Sequence, residues 1–183
     1  DMTNLSKSLR SDLEAVFCNP RLQMENEAIS ADGSRKLLFR LHDGLHIETV
    51  IIPEKDHLTL CISSQVGCPV GCRFCASGLD GLEGNLGSGQ IVEQVHRLGR
   101  LQGAGRITNV VFMGMGEPLD NFDNVIQAVR VLSDQRGMDI AQRYITVSTA
   151  GRVDGIDRLA ALAMPHLKLA VSLNAPNDRL RAR

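Results

Sequence analysis

What this chain of 183 residues lacks narrows its character before any motif does. No apolar run approaches the roughly 18 residues that a membrane-spanning helix requires, so no membrane association is expected. Neither charge sign dominates. The 20 Lys and Arg against 21 Asp and Glu leave a formal net charge of −1, and composition alone gives no footprint for a polyanionic partner. The opening Asp1-Met2-Thr3-Asn4 lacks the pattern of a secretory leader, and no repeat or low-complexity segment is evident. Five cysteines, an odd number with three of them clustered, argue against a disulfide framework and for a reduced, cytoplasmic protein. Hydrophobic residues at 43% and charged residues at 22% are those of an ordinary globular chain, long enough for one domain or a small domain plus part of a larger one.

What is present centres on Gly67-Cys68-Pro69-Val70-Gly71-Cys72-Arg73-Phe74-Cys75, which places three thiols within eight residues at C-x3-C-x2-C spacing. Thiolates favour zinc or iron-sulfur clusters. Three of them can bind three irons of a 4Fe-4S cube and leave the fourth iron open, whereas cluster electron carriers usually supply four cysteines. An open metal position is where a substrate or cofactor binds. The alternative is a structural zinc site completed by His57, His96 or Cys61, although no second C-x2-C pair supports it. Pro69 and Gly71 keep the segment out of regular helix, and Gly67 and Gly78 allow a tight wrap.

Periodicity organises the remainder. Leu5, Leu9, Leu13 and Val16 predict a helix over residues 4–17, with Cys18 at its packed end. Period-two runs near 23–30, 35–42 and 45–52, interrupted by Asp32-Gly33 and Asp43-Gly44, predict an antiparallel meander. The polar break Pro53-Glu54-Lys55-Asp56 is the best boundary, dividing an accessory region, 1–56, from an α/β core, 57–183. In that core, strands at 58–62, 107–113, 144–149 and 167–173 alternate with helices near 88–102, 121–134 and 153–163, which implies parallel βα units with right-handed crossovers. Four such strands do not close a barrel, and the last residues read as the opening of another helix, so the chain is expected to be a fragment.

Chemistry is expected at the strand ends. The cluster loop follows the first core strand, at the mouth of the sheet where active sites gather. Gly114-Met115-Gly116-Glu117-Pro118 follows the next strand, where the glycines allow close approach and Glu117 could accept hydrogen bonds from an ammonium group. Ser148-Thr149-Ala150-Gly151 and Ser172-Leu173-Asn174 follow the two strands after that, and could line one polar ligand site or simply cap local structure. Cys61, in isolation, reads as a buried structural thiol. Glu48 shares a strand face with His46, Val50 and Ile52, as a solvated carboxylate would.

The cysteine motif, with Phe74 directly before Cys75, and the Gly-Glu-Pro turn resemble the radical S-adenosylmethionine (SAM) enzymes. Ile47-Glu48-Thr49-Val50, Cys61 to Cys68, Val111 to Leu119, Ile145 to Gly151 and Val171 to Asp178 resemble, within them, the RNA adenine-C2 methyltransferases of the RlmN/Cfr group. The resemblance runs through nearly the whole chain. It implies the first half of a partial (β/α)6 barrel preceded by the small helix and meander, with Cys68, Cys72 and Cys75 holding a 4Fe-4S cluster whose open iron chelates SAM. Gly116, Glu117, Ser148, Ser172, Leu173 and Asn174 fall on SAM-contacting positions of that group. Reductive cleavage of SAM would yield methionine and a 5′-deoxyadenosyl radical.

In that group, the radical takes hydrogen from a methyl group carried on a C-terminal cysteine, and the resulting methylene adds to adenine. Cys61 matches the upstream cysteine that helps remove the ring proton and resolve the adduct through a disulfide, and Glu48 matches a position with an acid-base or substrate-positioning role. The methyl-carrying cysteine is absent, since none follows Cys75, so the fragment is expected to be inactive by itself. The implied substrates are 23S rRNA and tRNA, the implied electron donor a flavodoxin or ferredoxin, and the implied state a monomer. Lys7, Arg10, Arg21, Arg35, Lys36 and Arg40 could contact phosphates or form a solvated mixed-charge surface. Two departures stand out: Glu83 precedes Gly84-Asn85-Leu86 where a basic residue is usual, and Asn174 stands where histidine is common. Methylation at adenine C8, or a non-catalytic iron-sulfur or zinc module, remain the competing readings.

Overall fold

The structure is a computed structural model and describes residues 4–16, 22–55, 57–101 and 107–181; Cys18 and Arg21 fall outside them. In chain order the elements are α1 (Lys7–Val16), β1 (Gln23–Ile29), β2 (Arg35–Arg40), β3 (His46–Pro53), β4 (Leu58–Cys61), β5 (Gln65–Gly67), β6 (Leu82–Asn85), α2 (Ser88–Leu98), β7 (Asn109–Phe112), α3 (Phe122–Ser133), β8 (Ile145–Thr149), α4 (Val153–Ala160), β9 (Lys168–Val171) and α5 (Asp178–Arg181). Seven strands form one sheet in the order β1-β2-β3-β4-β7-β8-β9, and β5 pairs with β6 in a separate ribbon. The meander β1 to β3 is antiparallel, β4 is antiparallel to β3, and β4, β7, β8 and β9 are mutually parallel.

The α/β expectation holds, strand by strand and helix by helix. At Pro53-Glu54-Lys55, where the sequence marks a boundary, Glu54 and His57 exchange backbone hydrogen bonds of 2.8 and 3.4 Å, and the sheet continues through the turn. The β5–β6 ribbon was not anticipated, because strands of three and four residues rich in glycine are too short to show a period of two. Helix α1 forms as predicted yet buries none of its residues, and Val16 is 76% exposed.

The two faces of the large sheet differ. Leu37, Phe39, Ile47, Ile51, Leu60, Ile62, Val110, Phe112, Ile145 and Val147 are all buried, in one core with Ile91, Val95 and Leu98 of α2 and Val125, Val129 and Leu132 of α3. Each fully buried aliphatic side chain contributes about 1.5–3 kcal/mol, so this face carries most of the stability. The opposite face is open. Register places Ala28, Lys36, Val50, Cys61, Val111, Thr146 and Lys168 in one transverse row across all seven strands. None of the seven is fully buried.

Candidate active site

Beyond Cys61 the chain leaves the sheet through Ser63, Ser64 and Gln65, whose exposures of 0%, 1% and 0% demand that every polar group be satisfied. Gln94, on the apolar face of α2, does much of this. Its Nε2 donates to the Ser63 carbonyl at 2.9 Å, and its Oε1 accepts from the Ser63 N–H and the Thr49 hydroxyl, each also at 2.9 Å. Asn121 Nδ2 donates to the carbonyls of Ser64 (2.7 Å) and Leu86 (2.8 Å). Gln65 Nε2 donates to Asn85 Oδ1 at 2.7 Å across the small ribbon, and Gln65 Oε1 accepts from the Glu117 N–H at 2.8 Å. A fully satisfied buried network of this kind fixes one geometry.

On that base the cysteine loop spans from β5 to β6. Gly67 has φ +73°, and a Cβ there would lie 2.0 Å from the Gly81 carbonyl oxygen, so only glycine fits where the loop's two ends cross. The Cys68 N–H donates to Gly81 O at 2.9 Å, the Cys75 N–H to Cys72 O at 3.0 Å, and the Gly78 N–H to Cys75 O at 3.1 Å. Cys68, Cys72 and Cys75 are free and half-buried. Burial pushes the Cys68 thiol above the ordinary thiol range, and charge on Cys72, Cys75 and Glu117 pushes it the same way. The thiols are thus near enough to feel one another. Three thiolates from one short loop can each take one iron of a cube and leave the fourth iron open, whereas a closed tetrahedral zinc site needs a fourth protein ligand. The donor set fits a 4Fe-4S cluster.

Residues 114–117 lie against the base of the loop. A Cβ at Gly114 would meet Ile62 O and Ser63 Oγ at 2.8 Å, and one at Gly116, where φ is +101°, would meet Gln65 Cβ at 2.6 Å. Glu117, 2% exposed, accepts the Leu119 N–H at 3.0 Å on Oε1 and the Ala150 N–H at 2.7 Å on Oε2. Glu117 thereby fastens the end of β8 to the end of β7.

A cleft of about 990 Å³ opens between the cysteine loop and the ends of β8 and β9. Cys72 and Phe74 line one wall, and Ala150, Ser172, Leu173 and Asn174 the other, with Leu180 of α5 at the edge. Asn174 adopts φ +57°, a left-handed conformation that asparagine tolerates. The Ser148 and Ser172 hydroxyls stand 3.4 Å apart, which joins Ser148 to the same wall. Of the predicted ligand-contacting residues, Ser172, Leu173 and Asn174 line the cleft, Ser148 adjoins it, and Glu117, with Gly116 before it in the chain, adjoins it through the N–H of the lining residue Ala150.

Cys61 and Glu48 share the open face. Cys61 pairs with Val50, two residues along β3 from Glu48. Burial raises the Cys61 thiol, partly offset by the backbone N–H of Met113. The Glu48 carboxylate meets Lys36 Nζ at 2.9 Å. The other described basic residues of the meander are also paired, Arg35 with Glu27 and Arg40 with Glu25. Sequence reasoning missed Gln94, Asn121 and Ser63. A glutamine one position from Val95 on an otherwise apolar helix face was the available signal.

Comparison with known proteins agrees with this geometry. The chain is 46% identical over 183 residues to a protein of Pelobacter propionicus named "Dual-specificity RNA methyltransferase RlmN", and 49% identical over 183 residues to one of the same name from Geobacter sulfurreducens. These alignments take in 100% of the chain but 52% and 49% of the relatives, so the chain spans about half the length of the curated relatives it matches. The crystal structure of a radical SAM methyltransferase from Sphaerobacter thermophilus superposes with a TM-score of 0.91 at 49% identity, over 99% of this chain and 54% of that one. The Radical SAM superfamily model matches residues 62–183, from the buried entrance of the cysteine loop to the far wall of the cleft. A three-thiol loop facing a cleft of mixed lining at the strand ends accords with that match, and the chain belongs to the radical SAM superfamily, whose cofactors are a 4Fe-4S cluster and S-adenosylmethionine.

Proposed function

We propose that the protein to which this chain belongs methylates C2 of adenine in 23S rRNA and tRNA. The observation that carries this reading is Cys61: a thiol on the open face of the sheet, on the strand that feeds the cluster loop, where a packing role would have placed it on the covered face. The names of the full-length relatives support RNA as substrate. When bound, the cluster and SAM supply a carbon-centred radical. This chain's residues hold and orient what surrounds it. Cys68, Cys72 and Cys75 hold the cluster, while the Ser148 and Ser172 hydroxyls and the Asn174 amide offer donors and acceptors to the polar groups of SAM. Cys61 Sγ takes part in removing the C2 proton, and Glu48 positions the base or relays that proton.

The reading extends to a division of labour, with residues 1–56 handling RNA and residues 57–183 handling the cofactors, and to a monomeric cytoplasmic enzyme reduced by a flavodoxin or ferredoxin. No helix among the described residues is long and apolar enough to cross a membrane. Anaerobic reconstitution is expected to give about four irons per chain and an electron-resonance signal that changes on adding SAM. Mass mapping of adenosines methylated by the full-length enzyme is expected to find 2-methyladenosine. Modification at C8, or one stoichiometric zinc with no response to SAM, would sink the proposal. The 183 residues contain no cysteine after Cys75 to carry the methyl group, and by themselves are expected to turn over no RNA.

A further inference from the structure

We infer that Lys36 is a positioning residue for Glu48, fixing the direction of its carboxylate on the open face that also carries Cys61; the inference rests on the reading in which Glu48 acts at the RNA adenine. Strand β4 ends at Cys61, opposite Val50, so Glu48 lies beyond the last pair of the β3–β4 ladder. Its backbone groups on that side need other partners. Ser63 Oγ donates to the Glu48 carbonyl at 2.6 Å, and the Glu48 N–H donates to Met115 Sδ at 3.3 Å. The main chain is thereby fixed at both groups, which leaves the carboxylate's direction as the remaining freedom.

Lys36 decides that direction. It pairs with Val50 in the register, diagonal to Glu48, and its Nζ meets Glu48 Oε1 at 2.9 Å. Lys36 and Cys61 flank Val50 from either side, about 10 Å apart at two strand spacings. With side chains 54% and 43% exposed, the pair is too solvated to contribute much stability. Its effect is on geometry. A phosphate contact, the other role open to a lysine on this surface, would draw Nζ away from Glu48, and the two roles differ in what they do to kinetics.

The test compares Lys36→Met, Lys36→Arg, Glu48→Gln and the Lys36→Met/Glu48→Gln double variant in the reconstituted full-length enzyme. Lys36→Met is expected to lower kcat for RNA methylation by about tenfold or more, the scale set by misplacing a reacting group, while KM for RNA and its salt dependence hold. Lys36→Arg is expected to recover most of the rate, and the double variant to be no slower than Glu48→Gln alone. Iron content and SAM binding should not change. An intact kcat with raised KM and a flatter salt dependence would make Lys36 a phosphate contact and overturn the inference, as would losses that multiply in the double variant. If the wild-type enzyme methylates no RNA, the functional reading itself has failed. The pair is then judged by the Lys36 Nζ nitrogen resonance, which is expected to shift in Glu48→Gln; an unmoved resonance overturns it.

Discussion

The covered and open faces of the seven-stranded sheet are built from alternate residues of the same strands, and they do different work. On β3, Ile47 and Ile51 are buried while Glu48 and Val50 between them are half-exposed. On β8, Ile145 and Val147 are buried while Ser148 beside them reaches the cleft wall. One parity carries the packing that makes the sheet stable, and the other is relieved of that duty. It can hold a thiol, a carboxylate and hydroxyls without leaving a cavity. The comparison also shows why register matters so much here: a slip of one residue would bury Glu48 and Cys61 and expose the core.

The sharpest way to break this comparison is to truncate one residue on each face. Phe112→Ala, on the covered face, is expected to cost about 3–5 kcal/mol in urea denaturation, and Cys61→Ala on the open face about 1 kcal/mol or less. Similar costs would mean that the two faces are not specialised. A smaller effect tests the joint between them. Gln94→Leu strands the Ser63 N–H and carbonyl and the Thr49 hydroxyl, and is expected to cost about 1–3 kcal/mol. Iron retention should fall with it, because the cysteine loop loses its fixed base; full retention would separate the network from the loop.

The smallest effect concerns protons. Burial holds the folded Cys61 thiol above its ordinary value of 9.0, so folding favours the protonated form. Its contribution is fully present below about pH 9 and is lost as pH rises through the higher folded value. The urea midpoint of the native protein should therefore decline more steeply above pH 9 than that of Cys61→Ala. Equal slopes would place Cys61 in a more solvated setting than the structure gives it.

Much of this was legible in the sequence, because alternation and helical stripes are local signals. Ile91, Val95 and Leu98, and Val125 and Val129, were readable as buried stripes, and the parallel βα units followed from the alternation of such helices with apolar strands. The grouping of Cys68, Cys72 and Cys75 in one loop was readable from spacing alone. What was not legible depends on contacts distant in sequence. Gly116 and Glu117 read as a ligand-facing turn from the strand-end motif, but that the turn also packs on Gln65 and accepts the Ala150 N–H could not be read from it. The pairing of Lys36 with Glu48 needed the register of β2 against β3. The apolar stripe of α1 was read correctly as a helix, but periodicity does not show whether a face finds a partner.

The crossing of Gly67 with Gly81 has a thermodynamic consequence. An unconstrained segment of this length must surrender loop-closure entropy to whatever draws its ends together, a cost that grows with the logarithm of its length. Here the β5–β6 ribbon and the Cys68–Gly81 hydrogen bond have already joined the ends. Iron and sulfide then have only the cysteine side chains and the turn between them to order, and more of their binding free energy is left to appear as affinity.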